Sequence, residues 1–301
     1  MRRTHIPALL LLAACAAVGC SKRAVAPEAR TQQVPIPAPV NPGRVADAVD
    51  RQTTEEGDEG APEKITGPVS FANADAAYQA KKYSEVVTLF QAYTEQRPGN
   101  AWGHFMLGLS ASKAGDPAKA ESAFMQALSI DPNHVKSLVN LSRVLLDQGR
   151  TDDALVHLTH AGEIAASSGE VQRLLGRAYA EQRKDDEAAD AYRRAIALDP
   201  HDAWSMNNLG LLLLEQDRAD EALPMLARAV QLRMDVPAFH NNLGMALEHT
   251  GRFLAAADEY RGALTAHPGY GKAKQNLARV EAVKVVHEEP FDLEAVATVG
   301  R

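Results

Sequence analysis

The chain carries little of what a catalyst needs. Its two cysteines, Cys15 and Cys20, both lie within the first twenty residues. Its ten histidines are scattered. His157 and His160 fall on one predicted helix, but no acidic residue stands where it would complete a metal site. No glycine-rich phosphate loop and no GxSxG turn is present, so neither a metal nor a cofactor is expected. What recurs is the primary amide: Asn140, Asn208, Asn242 and Asn276 are separated by whole multiples of 34 residues. An amide donates and accepts at once, so it can satisfy a peptide unit. Arg143, Arg173 and Arg177 form a basic cluster able to pair a carboxylate bidentately. Trp102 and Phe105, with Leu109, offer an apolar surface, and Trp204 a second. These groups suit the capture of another chain rather than the breaking of bonds.

The elements that position them repeat every 34 residues, most completely over 169–202. There Leu175, Gly176, Tyr179, Ala188, Tyr192, Ala195 and Pro200 occupy positions 7, 8, 11, 20, 24, 27 and 32. Two amphipathic runs, 169–182 and 186–198, flank a polar break at 183–185, which predicts helix, tight turn, helix and proline stop. The register holds through six units without insertion. Position 8 reads Ala74, Gly108, Ser142, Gly176, Gly210 and Gly244; position 20 reads Val86, Ala120, Ala154, Ala188, Ala222 and Ala256. Small residues there let two helices approach closely. Position 24 supplies a bulky side chain to fill the crossing, as Phe90, Phe124, Leu158, Tyr192, Leu226 and Tyr260.

This pattern resembles the tetratricopeptide repeat (TPR). The resemblance covers about two-thirds of the 301 residues. It implies an all-α, right-handed solenoid of six helix–turn–helix repeats at 67–100, 101–134, 135–168, 169–202, 203–236 and 237–270. A capping helix at 271–287 and a tail at 288–301 follow. The family places its first helices on the concave face, with positions 2, 5, 6 and 9 pointing into it. Asn208, Asn242 and Asn276 all stand at position 6, which resembles the asparagine ladder of the O-linked N-acetylglucosamine transferase superhelix, where such amides grip a peptide backbone. Packed helices lie about 9–10 Å apart, and three extended residues span about the same distance. One amide per repeat therefore matches every third residue of an extended chain. The carboxylate clamp of chaperone adaptors is not matched: position 5 has no Lys and position 9 no Asn.

Local departures carry their own expectations. The first repeat is degenerate, as a terminal repeat with one face in water can be. Ala166 stands where the third repeat would carry its proline stop, and Ser167, Ser168 and Gly169 after it predict a looser joint. Pro224 early in a second helix predicts local distortion. Residues 271–287 read as a solvating cap over the last apolar face. The apolar run 295–299 is open to three fates: disorder, docking on the cap, or occupation of the concave groove.

The N-terminus predicts an address. Arg2 and Arg3 precede a short apolar run that ends in Ala17-Val18-Gly19-Cys20. This resembles the bacterial lipobox, in which Cys20 takes a diacylglycerol after removal of a signal peptide, 1–19. Ser21 in place of Asp resembles an outer-membrane address facing the periplasm. Residues 20–66 are rich in proline and acidic side chains, with a root-mean-square reach of roughly 35–40 Å. A proline-rich docking motif at 34–40 is an alternative reading of part of that linker. A formal charge of −7 gives no electrostatic case for nucleic acid. The leading expectation is a membrane-tethered scaffold in the bacterial cell envelope that binds an extended protein segment. It is similar to the TPR lipoproteins that assist pilus or secretin assembly. The alternative is an adaptor for peptidoglycan enzymes; an enzyme would need a site the sequence does not display. Exposed apolar groove residues permit a homodimer.

Overall fold

The computed structural model describes residues 69–284, 288 and 290–299. The expected signal segment, lipidation motif and linker lie outside the described residues. Among the described residues fourteen helices follow one another, with no strand. Twelve form antiparallel hairpins: α1 (Phe71–Gln79) with α2 (Tyr83–Gln96), α3 (Ala101–Lys113) with α4 (Pro117–Ile130), α5 (Val135–Asp147) with α6 (Thr151–Ile164), α7 (Gly169–Glu181) with α8 (Asp185–Leu198), α9 (Ala203–Glu215) with α10 (Ala219–Leu232), and α11 (Pro237–His249) with α12 (Phe253–Ala266). Then come α13 (Gly271–Glu281) and α14 (Leu293–Val299). The fold is a TPR-type helical solenoid.

The hairpins close because the repeat columns meet. A Cβ on Gly176 would come within 2.7 Å of the Tyr192 ring, and one on Gly244 within 2.6 Å of Tyr260. The backbone therefore passes against the position-24 side chain with no room for a methyl. All six residues at position 20 are 0 % exposed. The first helix of each of the six hairpins ends in the same device. The residue at position 15 takes a positive φ: Lys81, Gly115, Gly149, Arg183, Asp217 and Gly251. The next N–H reaches the carbonyl five residues back, as Lys184 to Tyr179 at 3.0 Å and Arg252 to Leu247 at 2.8 Å. This is the Schellman closure, which satisfies carbonyls that the helix end leaves free.

Neighbouring first helices touch (α3 with α5, α5 with α7, α7 with α9, α9 with α11, α11 with α13), whereas no two second helices make comparable contact among the described residues. The stack therefore curves with its first helices inside. The apolar core divides into one cluster from Val69 to Ala178 and another from Ala188 to Ala297. The division falls inside the fourth repeat rather than at Ser167–Gly169, where the Ser168 hydroxyl caps α7 by accepting the Val171 N–H. Pro224 does not break its helix: α10 runs unbroken from Ala219 to Leu232. The cap α13 ends at Glu281, shorter than the sequence suggested, and buries Ala273 and Val280. The tail takes none of its three expected places. Its helix α14 packs on α10, an outer helix, where Ala297 is fully buried.

Candidate functional site

The inner face is built by α3, α5, α7, α9, α11 and α13, and its chemistry changes along the stack. At the N-terminal end Trp102 is 40 % exposed. It is held by Phe105, ring centroids 5.1 Å apart, by His134 edge-on at 5.7 Å, and by the Lys136 ammonium 4.9 Å over its face. Phe105 itself is buried beneath it. His134 is half-buried, which pushes its pKa down. Its Nδ1 lies 2.7 Å from the Ser137 hydroxyl. The result is a fixed aromatic corner with one partly open ring and a cation at its edge.

The middle carries ion pairs. Arg143 pairs with Glu170 of the next repeat and donates to the Asn140 carbonyl oxygen at 3.3 Å. The Asn140 amide nitrogen in turn donates to the Lys136 carbonyl at 2.8 Å. Arg173 reaches Asp202 at 3.0 Å. Asp202 is nearly enclosed, caps α9 through the Ser205 N–H at 3.1 Å and accepts the Ser205 hydroxyl at 2.6 Å. Arg177 is held between Asp147 at 2.9 Å and Glu181 at 3.0 Å. Burial alone would lower its pKa, but those two carboxylates outweigh burial and raise it. The three arginines thus tie the third, fourth and fifth repeats together.

The C-terminal part carries a chain of amides. Asn276 donates to Asn241 at 3.0 Å, Asn241 to Asn242 at 3.3 Å, Asn242 to Asn207 at 2.8 Å, and Asn207 to Asn208 at 3.2 Å. Each step between repeats runs from position 6 of one unit to position 5 of the unit before it. Asn207, Asn241 and Asn242 are buried, while Asn208 and Asn276 at the two ends are partly exposed. A buried amide must be satisfied, and this chain satisfies three of them against one another. The position-5 members, Asn207 and Asn241, escaped the reading of position 6 as a single column. The paired Asn-Asn sequence at 207–208 and 241–242 was the available signal. Trp204 stands beside the chain, partly exposed, its ring edge-on to buried Phe239 at 4.8 Å.

Next to the amides, the cap is locked by a charge. Glu248 is 5 % exposed. Its carboxylate accepts two N–H groups of Arg279, at 2.8 and 2.7 Å, and the Tyr260 hydroxyl at 2.9 Å. Burial, then the Glu248 carboxylate, push the Tyr260 pKa far up. Among the described residues no three His, Cys, Asp or Glu side chains gather as a metal site would require. His160 turns to Asn133 at 3.0 Å. No helix among the described residues is long and apolar enough to cross a membrane.

Fold and inner face together define a helical-repeat protein that binds other proteins. The chain belongs to the tetratricopeptide-repeat proteins: TPR models match residues 111–178, 176–217 and 207–271. By sequence it is 38 % identical over 95 residues to the probable biofilm formation methyltransferase WspC of Pseudomonas putida (strain KT2440), covering 32 % of this chain and 21 % of that protein. It is 32 % identical over 107 residues to the protein O-mannosyl-transferase Tmtc3 of Drosophila melanogaster, covering 35 % of this chain and 12 % of that one. The chain thus spans well under two-thirds of either relative. Among solved structures it is similar to the APC/C hetero-tetramer Cut9–Hcn1 (TM-score 0.64, 17 % identity, 69 % of this chain and 41 % of that one). It also resembles a TPR protein of Parabacteroides merdae (TM-score 0.59, 13 % identity, 72 % and 86 %) and one of Thermus thermophilus (TM-score 0.53, 21 % identity, 60 % and 99 %). At such identities the likeness is one of fold.

Proposed function

We propose that this protein is a lipid-tethered scaffold of the bacterial cell envelope, acylated at Cys20 and held at the outer membrane facing the periplasm. Its inner face captures an extended protein segment during assembly of an envelope machine, of which a pilus or a secretin is the leading case. The observation that carries the capture is the build of that face. Its groups are fixed by neighbours before any partner arrives, so little side-chain entropy remains to be lost on binding. The open Trp102 ring takes an apolar side chain. Asn208 and Asn276, at the ends of the amide chain, meet a peptide backbone. Asn242 and Phe105 are enclosed and act as the wall behind them. Arg143, Arg173 and Arg177 already hold carboxylates, so an acidic segment has to displace Glu170, Asp202 or Asp147 to reach them.

The test is made in cells. A photo-crosslinking residue at 102 or 208 is expected to trap an envelope protein, and the same residue on the outer face at 156 is not. Equal trapping from both faces, or trapping from 156 alone, overturns the inner-face reading. Cys20→Ser is expected to release the protein from membranes; a variant that still sediments with them removes the anchor. Deletion is expected to mislocalise a secretin multimer, and a correctly placed multimer excludes that pathway.

A further inference from the structure

On the outer face, α14 occupies a place for which no repeat column accounts. Ala297 is 0 % exposed, and Phe291, Leu293 and Val296 pack around the same core. Two features show that the groove formed by α10 and the start of α12 is shaped for the tail, α14 lying on α10 and Glu288 at the start of α12. Position 25 is exposed in five repeats, as Gln91, Met125, Thr159, Arg193 and Arg261. In the fifth repeat it is Ala227, fully buried, beside buried Leu223. The second feature is the start of α12. Helices α2, α6, α8 and α10 each carry an acidic residue in the first turn, and α4 is capped by Asp116. Helix α12 has neither. Its free N–H groups are taken by the tail instead: the Glu288 carboxylate accepts Leu254 N–H at 2.7 Å and Ala255 N–H at 3.0 Å. A carboxylate at a helix N-terminus meets both unsatisfied donors and the positive end of the helix dipole. The equivalent clefts between α4 and α6 and between α8 and α10 hold no segment among the described residues, and measure about 240 and 290 Å³.

A seven-residue helix is too short to stand alone in water, so α14 is helical because the groove holds it. We propose that this groove is an exchangeable docking site whose resident occupant is the chain's own tail. The external occupant that fits is a protein segment of the tail's chemistry. It has a carboxylate followed five residues later by a short helix, with an apolar stripe that narrows to an alanine, as Glu288, Leu293, Val296 and Ala297 do. A short tether presents the tail at an effective concentration of about millimolar, so an outside segment competes poorly until the tail is loosened. The site lies on the opposite face from the proposed capture surface and stands independently of it.

The experiment is peptide binding to the full chain. A labelled peptide of residues 286–301 is titrated by fluorescence anisotropy against wild type, Ala297→Asp and Glu288→Gln. The peptide is expected to bind Ala297→Asp at least tenfold tighter than wild type, because the evicted tail no longer competes. Glu288→Gln, which leaves the apolar contacts intact, is expected to tighten binding by a smaller factor. A peptide carrying Gln at 288 is expected to lose most of the gain, as is a host with Ala227→Arg added. Should Ala297→Asp unfold, seen as lost helical circular dichroism, Glu288→Gln decides alone. Unchanged affinity in a folded variant overturns the proposal. So does a wild-type chain that sediments as a dimer and reverts to monomer on deletion of 288–301, because the occupant is then a second copy.

Discussion

Two stretches of the inner face solve one problem by different means. In the third to fifth repeats, first helices are joined by arginines that reach across to carboxylates, Arg173 to Asp202 and Arg177 to Asp147. From the fifth repeat to the cap, positions 5 and 6 carry asparagines, and helices are joined by amide to amide. The difference is one of reach and dielectric. An arginine spans a wide gap; Arg173 and Arg177 are largely enclosed, with side chains 18 % and 12 % exposed, whereas the Arg183–Glu215 pair is wet, its arginine side chain 61 % exposed. Such pairs are screened by salt and contribute modestly. An asparagine is short, so the helices must come close, and at 0–5 % exposure its bonds lie in a low dielectric where losing one is costly. The C-terminal half should therefore be the stiffer and less salt-sensitive part. The two apolar clusters meet at the fourth repeat, where the ion pairs lie.

The sharpest way to break the contrast is at Glu248. Arg279→Ala leaves a 5 %-exposed carboxylate with only the Tyr260 hydroxyl. Removing one partner of a buried pair costs about 3 kcal/mol, and urea unfolding followed at the C-terminal end should show it. If the loss is under about 1 kcal/mol, water reaches Glu248 and the contrast in dielectric is overdrawn. Next in size, Asn242→Ala strands the Asn207 acceptor and should cost about 2 kcal/mol. A double-mutant cycle with Asn207→Ala should return a coupling of about 1 kcal/mol. The companion measurement is Arg183→Ala in low and high salt, because that pair is the wet one. Its cost should shrink as salt rises, while that of Asn242→Ala should not.

The solenoid was legible in the sequence because its columns are enforced by close packing. At the four position-8 glycines an added Cβ meets a ring or a leucine, and the other two repeats place only Ala and Ser there. The site was less legible. A column of Asn at position 6 looks the same whether the amides face a ligand or the preceding repeat. What decides is the offset of one residue to Asn207 and Asn241, which depends on how far each repeat is rotated on the next. The arginines looked free because Glu170, Asp202 and Asp147 lie about 30 residues away; of their acids only Glu181, four residues after Arg177, was near in sequence. The tail's place depended on a negative feature, the lack of an acid in the first turn of α12, which gains meaning only when the other second helices are set beside it.

The C-terminal half contains one charged device that tests the contrast by pH. His240 lies with Nδ1 2.8 Å from the Glu259 carboxylate and Nε2 3.1 Å from the Met234 carbonyl. Only an imidazolium can donate to both. Burial alone would lower its pKa, yet the Glu259 carboxylate, aided by the Met234 carbonyl, raises it above 6.5. A group whose pKa is raised by folding contributes its full stability below the unfolded value of about 6.5 and loses it as pH climbs through the folded value. The sixth repeat should therefore loosen on going from about pH 6 toward pH 8. His240→Gln should flatten that slope, as read by hydrogen exchange in α11 and α12. A slope unchanged by the substitution would assign it to the carboxylates elsewhere.

The smallest expected effect lies at the turns that both halves share. At position 15 the backbone is left-handed in every repeat, yet three repeats place a side chain there: Lys81, Arg183 and Asp217. An L-residue with a Cβ is disfavoured in that region by about 1 kcal/mol, while glycine loses part of that advantage through its freer unfolded chain. Arg183 recovers something through its pair with Glu215 at 3.1 Å. Asp217 is exposed and has no such partner among the described residues. Asp217→Gly should then stabilise the chain by about 0.5 kcal/mol, and Arg183→Gly by less. Equal gains at both would mean that the exposed Arg183–Glu215 pair contributes nothing. That result would place this pair, unlike the buried bonds of the C-terminal half, among the surface ion pairs that leave stability unchanged.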